Sequence, residues 1–223
     1  MDWAEPEKVA RSISIMKIKH AVITSVDRDD LDDGGANHFY KVVKTTREKN
    51  PNTSIEVLTP DFQGDKNALK TVFDSKPDIF SHNVECVERI SKGVRAQANW
   101  QRSLDVLKES IDFGLRTKTG IMVGLGETEK EVKDTMLQIA DLGVQIFTIG
   151  QYLQPTKKHL KVEQYVPKEK FDEYKSFGES IGFKIVESGP LVRSSYRADE
   201  QARTIFSSNE SVSYTHLTLP TKA

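Results

Sequence analysis

At 223 residues the chain is long enough for one large α/β domain or two small ones, with a substantial buried core. A formal charge of −1 with 29% charged residues argues against a nucleic-acid footprint or a polybasic membrane face, and a single cysteine, Cys86, excludes an internal disulfide or any site needing several thiolates from this chain. No window approaches the ~18 apolar residues of a membrane span, and the acidic start "MDWAEPEKVARS" is unlike a signal or transit peptide, so the expected setting is cytosolic.

The first element in chain order is a helical pattern at 5–18, followed by the apolar, β-branched run "HAVITSV" (20–26). Helical spacing returns at 34–50, 67–75, 99–114, 127–143 and 167–182, and strand-like runs at 54–59, 78–83, 119–126, 144–153 and 183–188. Gly114, Gly143 and Gly182 stand where helix C-caps are expected. Such alternation predicts a parallel sheet with right-handed crossovers, open or closed into a barrel. Run after run ends in polar residues, a ring that favours a barrel, or an incomplete one, with its site at the C-terminal rim. The opening on a helix implies that a first strand is missing. Periodicity fades after Ala202, so the expectation is one domain over 1–206 and a disordered or foreign tail over 207–223.

Polar clusters follow the same order. Aspartates 27, 29, 30, 32 and 33 lack calcium-loop spacing, but Gly34-Gly35 before a helix expose backbone groups that could hold an amino or carboxylate group. Asn83 and Glu85 in "SHNVE" offer an amide and a carboxylate at i and i+2, a pair able to take the hydroxyls of a ribose or simply to close a loop. Cys86 reads as a half-buried thiol on a helix face. "TGIMVGLGETEKEV" (119–132) raises the sharpest question, because Gly124-Leu125-Gly126-Glu127 is a strand-to-helix turn with two glycines and an acid. It fits neither a P-loop nor a dinucleotide fingerprint, and acid at a helix start disfavours phosphate. A capping role for Glu127 or an uncharged or cationic ligand remains. "SGPLVRSSYRADE" presents Ser194 and Ser195 without the context of a nucleophile, and the five histidines show no metal spacing.

Together "ITSVDRDDLDDGGANHF", "IEVLTPDFQGD", "HNVE", "TKTGIMVGLGET", "TIGQYLQPTKKHL" and "SGPLVRSSYRA" resemble lipoyl synthases, radical S-adenosylmethionine (SAM) enzymes, over about residues 5–202. The resemblance implies an incomplete (βα)6 partial barrel whose visible strands are the second to sixth. It implies SAM contacts from Gly34 and Gly35 near the methionyl end, Asn83 and Glu85 at the ribose, Gly124, Gly126 and Glu127 on the fifth strand, and Gln151, Tyr152 and Leu153 near the adenine. The implied reaction inserts sulfur at C6 and C8 of an octanoyl chain on a lysine of a lipoyl carrier domain or a glycine-cleavage H-type protein. One [4Fe–4S] cluster reduces SAM to a 5′-deoxyadenosyl radical, a second donates sulfur, and an electron-donor protein serves the first. By the same resemblance Ser195, or Ser194, would ligate the second cluster.

The pattern departs from the family in one respect. Its Cys-x4-Cys-x5-Cys and Cys-x3-Cys-x2-Cys runs, expected N-terminal to "EPEKVA", do not occur in this chain. The chain is therefore expected to be an inactive part of a lipoyl synthase, with a non-catalytic module binding SAM or a lipoyl carrier as the alternative. A Schiff-base aldolase would need Lys118, just ahead of its strand, and is a remote third.

Overall fold

A computed structural model describes residues 2–94, 97 and 99–210. In chain order these form α1 (Glu5–Met16), β1 (His20–Thr24), α2 (Ala36–Lys49), β2 (Ser54–Leu58), α3 (Lys66–Asp74), β3 (Ile79–Ser81), α4 (Glu88–Val94), α5 (Trp100–Asp112), β4 (Thr117–Val123), α6 (Glu129–Leu142), β5 (Ile146–Gln151), α7 (Lys168–Ser180), β6 (Ile185–Gly189) and α8 (Ala198–Glu210). All strand pairs are parallel and the sheet runs β1-β2-β3-β4-β5-β6, each strand beside the next in sequence. A sequential parallel sheet with helical crossovers is a partial barrel of TIM type, open between β1 and β6. It holds six strands among the described residues, one more than the second-to-sixth set of the resemblance. The last comes from the run at 183–188.

Local chemistry explains where the helices start. Asp65 accepts the amides of Asn67 and Ala68 at α3, Asn99 accepts that of Arg102 at α5, and Thr128 with Glu131 forms a capping box at α6. Alternation then sorts the strand side chains by face. One face meets the helices: Ile121, Val123, Phe147 and Ile149 lie in a cluster with Leu107, Met136, Ile139 and Phe171, while Ile55, Val57 and Phe80 join Phe39, Val43, Leu69 and Phe73. Burying each such side chain contributes about 1.5–3 kcal/mol before entropy is charged against it.

The opposite face is sparser. At its N-terminal end Ile79 and Ile146 meet Ala202 and Ile205 of α8. That helix was not expected beyond the fading pattern, and it extends to Glu210, past the boundary at 206. The rest of the expected tail, 211–223, lies outside the described residues. Cys86 also differs from expectation: it precedes α4 in a bend and is 1% exposed rather than half-buried. No helix among the described residues is long and apolar enough to cross a membrane.

Candidate functional site

The C-terminal strand ends carry most of the polar residues singled out above. Beyond β1 and β2, the loop 27–34, the turn 60–65 and Arg102 enclose a cavity of about 800 Å³. Asp33 builds its wall, accepting the amides of Gly35 and Asn37 at 2.9 Å and the Asn37 side-chain amide at 2.7 Å. Burial works to raise the Asp33 carboxyl, and these hydrogen bonds outweigh it, so it sits below the ordinary carboxylate range. Gly34 faces the Phe62 ring so closely that a Cβ would lie 2.9 Å from its edge. Phe62 and Gln63 themselves hold left-handed backbone, with φ of 46° and 54°. Asp61 fixes that turn by accepting from the Gln63 amide at 3.0 Å and Arg102 Nε at 2.8 Å. Non-glycine residues in this region cost roughly 1–3 kcal/mol each, and such outliers cluster at ligand clamps.

Beyond β3 the chain continues as an irregular extension of the sheet. Glu85 adopts φ 71° and stitches to β4, its amide donating to the Gly120 carbonyl at 3.2 Å and its carbonyl accepting from Met122 at 2.8 Å. Two residues earlier, Asn83 holds its side-chain oxygen buried with no hydrogen-bond partner. A buried orphan acceptor costs about 1–3 kcal/mol and is usually answered by a ligand or a water.

At the end of β4 the glycine turn has a definite internal bonding pattern. The Glu127 carboxylate accepts from the amides of Gly124 at 2.5 Å and Leu125 at 2.9 Å. It therefore caps its own turn, while the helix behind it is capped by Thr128. Gly124 has φ 100°, and a Cβ there would stand 2.3 Å from Gln151 Nε2 and 2.4 Å from the Gln164 carbonyl. Only glycine suits both conditions. Gln151 is committed too: Nε2 donates to the carbonyls of Tyr152 and Gln164, both at 3.0 Å, and Oε1 accepts from Val166 at 2.9 Å. Tyr152 is 6% exposed with its hydroxyl on the Leu160 carbonyl at 2.8 Å, whereas Leu153 is half exposed. Gln151 and Glu127 are thus bonded within the rim, whereas the Asn83 oxygen is not.

The metal-ligand expectation fares differently. Ser195 lines a separate shallow cavity of about 370 Å³ beside His20 and Val22 of β1, not the rim cavity that Gly34 lines. Ser194 is its neighbour, partly exposed. Cys86 lies in the apolar cluster with Val84 and Trp100, and no group of three or more His, Cys, Asp or Glu able to hold a metal occurs among the described residues. The residues present do not fit an iron–sulfur cluster.

The sequence reading missed one constellation. Lys118 lies on β4 itself, not ahead of it, and is fully buried with its ammonium 3.0 Å and 3.2 Å from the two Glu56 oxygens of β2. His20 of β1 reaches Glu56 at 3.4 Å through Nε2 and the Ser54 hydroxyl at 2.8 Å through Nδ1. The available signal was a titratable residue at or inside three apolar runs, His20, Glu56 and Lys118. Paired so closely with Glu56, Lys118 is an ion-pair partner rather than an exposed amine.

Comparison with known proteins shows the family. Residues 1–139 match the Radical SAM superfamily. The lipoyl synthase of Flavobacterium johnsoniae is 55% identical over 201 residues, covering 90% of this chain and 70% of that protein. This chain belongs to the lipoyl synthase family. The mitochondrial lipoyl synthase of Nematostella vectensis is 53% identical over the same length, with 69% of it covered. In fold, the crystal structure of Streptococcus suis SuiB superposes with a TM-score of 0.65 at 8% identity, over 83% of this chain and 43% of that one. That likeness is one of fold alone.

Proposed function

We propose that this chain forms the SAM-binding and acyl-carrier-binding part of a lipoyl synthase, an enzyme that inserts sulfur at C6 and C8 of an octanoyl chain held on a carrier-protein lysine. The observation that carries the cofactor reading is the buried, unpartnered Asn83 oxygen beside the strained Glu85, at the strand end where the resemblance puts the ribose. A ribose hydroxyl would satisfy that acceptor. Gly34 and Gly35 would stand at the methionyl end, and the turn at Gly124 and Gly126, held open by Glu127, would let SAM approach the β4 and β5 backbone near Gln151, Tyr152 and Leu153. The acidic loop 27–33 suits a sulfonium better than a phosphate. When bound, SAM supplies the radical that abstracts hydrogen from the acyl chain; the protein's part is to hold it at the rim and exclude water.

With one cysteine, buried in an apolar cluster, the 223-residue chain offers no thiolate set for the family's clusters. Ser195 stays in the proposal only as a cluster ligand that would act together with cysteines from elsewhere. The expected outcome after anaerobic incubation with iron, sulfide, reductant, SAM and octanoylated carrier is neither 5′-deoxyadenosine nor lipoyl product. Formation of either by the chain alone would overturn the inactive assignment. The proposal keeps a cytosolic setting; since one relative is mitochondrial, cell fractionation separates the two compartments.

A further inference from the structure

The segment 152–167 between β5 and α7 arches over the rim, and much of its surface is not used by the cofactor reading. It has no helix or strand, yet it is fastened along its length. The Gln151 side chain holds Gln164 and Val166, the Glu163 amide donates to the Gly124 carbonyl at 2.9 Å, and Gln154 Nε2 donates to the His159 carbonyl at 2.8 Å. Tyr152 ties in Leu160, and a turn closes from Thr156 to His159 at 3.0 Å. The arch is thus pre-ordered rather than loose.

Its outward side chains are rich in cations, with Glu163 the one acid in the segment. Lys157, Lys158 and Lys161 are exposed, and none has an ion-pair partner among the described residues; Lys17, Lys19 and Lys184 are exposed and unpaired as well, but nowhere else among the described residues do three such lysines fall within five positions, while Lys70, Lys108, Lys130, Lys133, Lys168 and Lys170 are each paired with an acid. The Cα atoms of these three lysines lie no more than about 15 Å apart. The same arch exposes Leu153 at 49%, Leu160 at 39% and Tyr165 at 73%. Unpaired cations mixed with aliphatic and aromatic side chains on a pre-ordered segment make a protein-docking surface.

We propose that the arch docks an acidic segment of the protein that carries the acyl-lysine; the inference rests on the lipoyl synthase reading and adds to it the face and charge of the partner. The opposite side of the rim bears five aspartates, at 27, 29, 30, 32 and 33. An acidic partner is therefore repelled there and attracted at the arch, which sets the direction from which its lysine arm enters. Nucleic acid fits less well. Its phosphates would meet the same aspartates, and the arch supplies no arginine for bidentate contacts.

The test uses fluorescent peptides carrying Nε-octanoyl-lysine flanked by glutamates, and a counterpart flanked by glutamines, titrated into the chain at two salt concentrations. The acidic peptide is expected to bind at least tenfold more tightly at low salt, and that preference is expected to vanish in K157E/K158E/K161E and shrink severalfold in K157Q/K158Q/K161Q. Both variants should bind SAM as the wild type does, which certifies folding. Equal binding of the two peptides, an acidic preference that survives the lysine variants, or tighter binding of an oligothymidylate than of the acidic peptide would overturn the proposal. An unacylated acidic peptide separates the two layers. If it binds as well as the octanoylated one, with the lysine dependence intact, the docking face stands and the acyl reading falls. If both octanoyl peptides bind alike and better than unacylated ones, the acyl reading stands and the docking face falls.

Discussion

Around β4 and β5 the polar groups of the rim are largely bonded within the protein: Glu127 to two amides of its own turn, Gln151 to three groups of the arch and its root, Arg89 to Glu131 and the Gly126 carbonyl. Around β1 the balance is reversed. Trp3, Ile15, Met16 and Val26 are each more than 60% exposed, and among the described residues β1 pairs on one side only, with β2. One side is bonded within itself, and the other is an edge with exposed apolar groups, a known liability for self-association. The link between them is polar and buried, running from Lys118 on β4 through Glu56 on β2 to His20 on β1. The β1 side is thus joined to the rim by that pair as well as by the β2–β3–β4 ladder.

Breaking the link should have the largest effect. Lys118→Met leaves Glu56 buried without its cation, and the expected loss is ~3–5 kcal/mol, read as a lower urea midpoint. Lys118→Met combined with Glu56→Leu should recover most of that loss, because the uncompensated charge goes too. A single variant as stable as the wild type would show that the pair does not join the two sides.

Next in size is the turn on the internally bonded side. Gly124→Ala drives a Cβ onto Gln151 and the Gln164 carbonyl, so ~2–3 kcal/mol of stability should be lost together with SAM binding. Gly114→Ala is the control, since Gly114 has φ 90° and nothing within 4 Å of a Cβ; it should cost only ~1 kcal/mol and leave SAM binding intact.

A smaller effect is expected at Asn83. Asn83→Leu removes the orphan acceptor, so stability should hold within ~1 kcal/mol while SAM affinity falls about tenfold. Calorimetric titration reads the affinity, and the urea midpoint reads the stability. Smallest is the Arg89–Glu131 contact at 2.6 Å, partly open to solvent. The Arg89 guanidinium, with the Thr128 hydrogen bonds, holds the Glu131 carboxyl down to about 2 from an ordinary 4.5. A depressed folded-state value gives stability that is present above pH ~4.5 and lost as pH falls toward 2. Arg89→Ala should therefore flatten the acid limb of a stability–pH curve in that window, only slightly because the pair is solvated. An unchanged acid limb would remove Arg89 from the bonding around β4 and β5.

Much of this architecture is legible in local sequence. Six strand runs and most helices follow from apolar spacing, because periodicity is decided within a few residues. The glycine turn was legible as a turn, but Glu127 could not be divided between cap and ligand until its two amide partners were placed. Lys118, Glu56 and His20 were not legible as a unit: they come from three strands, and only the register of the sheet brings them together. Helix α8 was obscured where periodicity weakens, since it buries only a short stripe around Ala202 and Ile205. The arch gave no periodic signal at all, being fixed by side-chain hydrogen bonds to carbonyls that no spacing rule anticipates.

The most direct measurement of the central claim is a calorimetric titration of SAM into the iron-free chain, repeated with Asn83→Leu and Gly124→Ala after circular dichroism has confirmed that each is folded. The account predicts one-to-one binding that is weakened about tenfold by the first change and lost in the second. A folded wild-type chain that takes up no SAM, or affinity indifferent to both substitutions, would contradict a cofactor site at the β3–β5 rim.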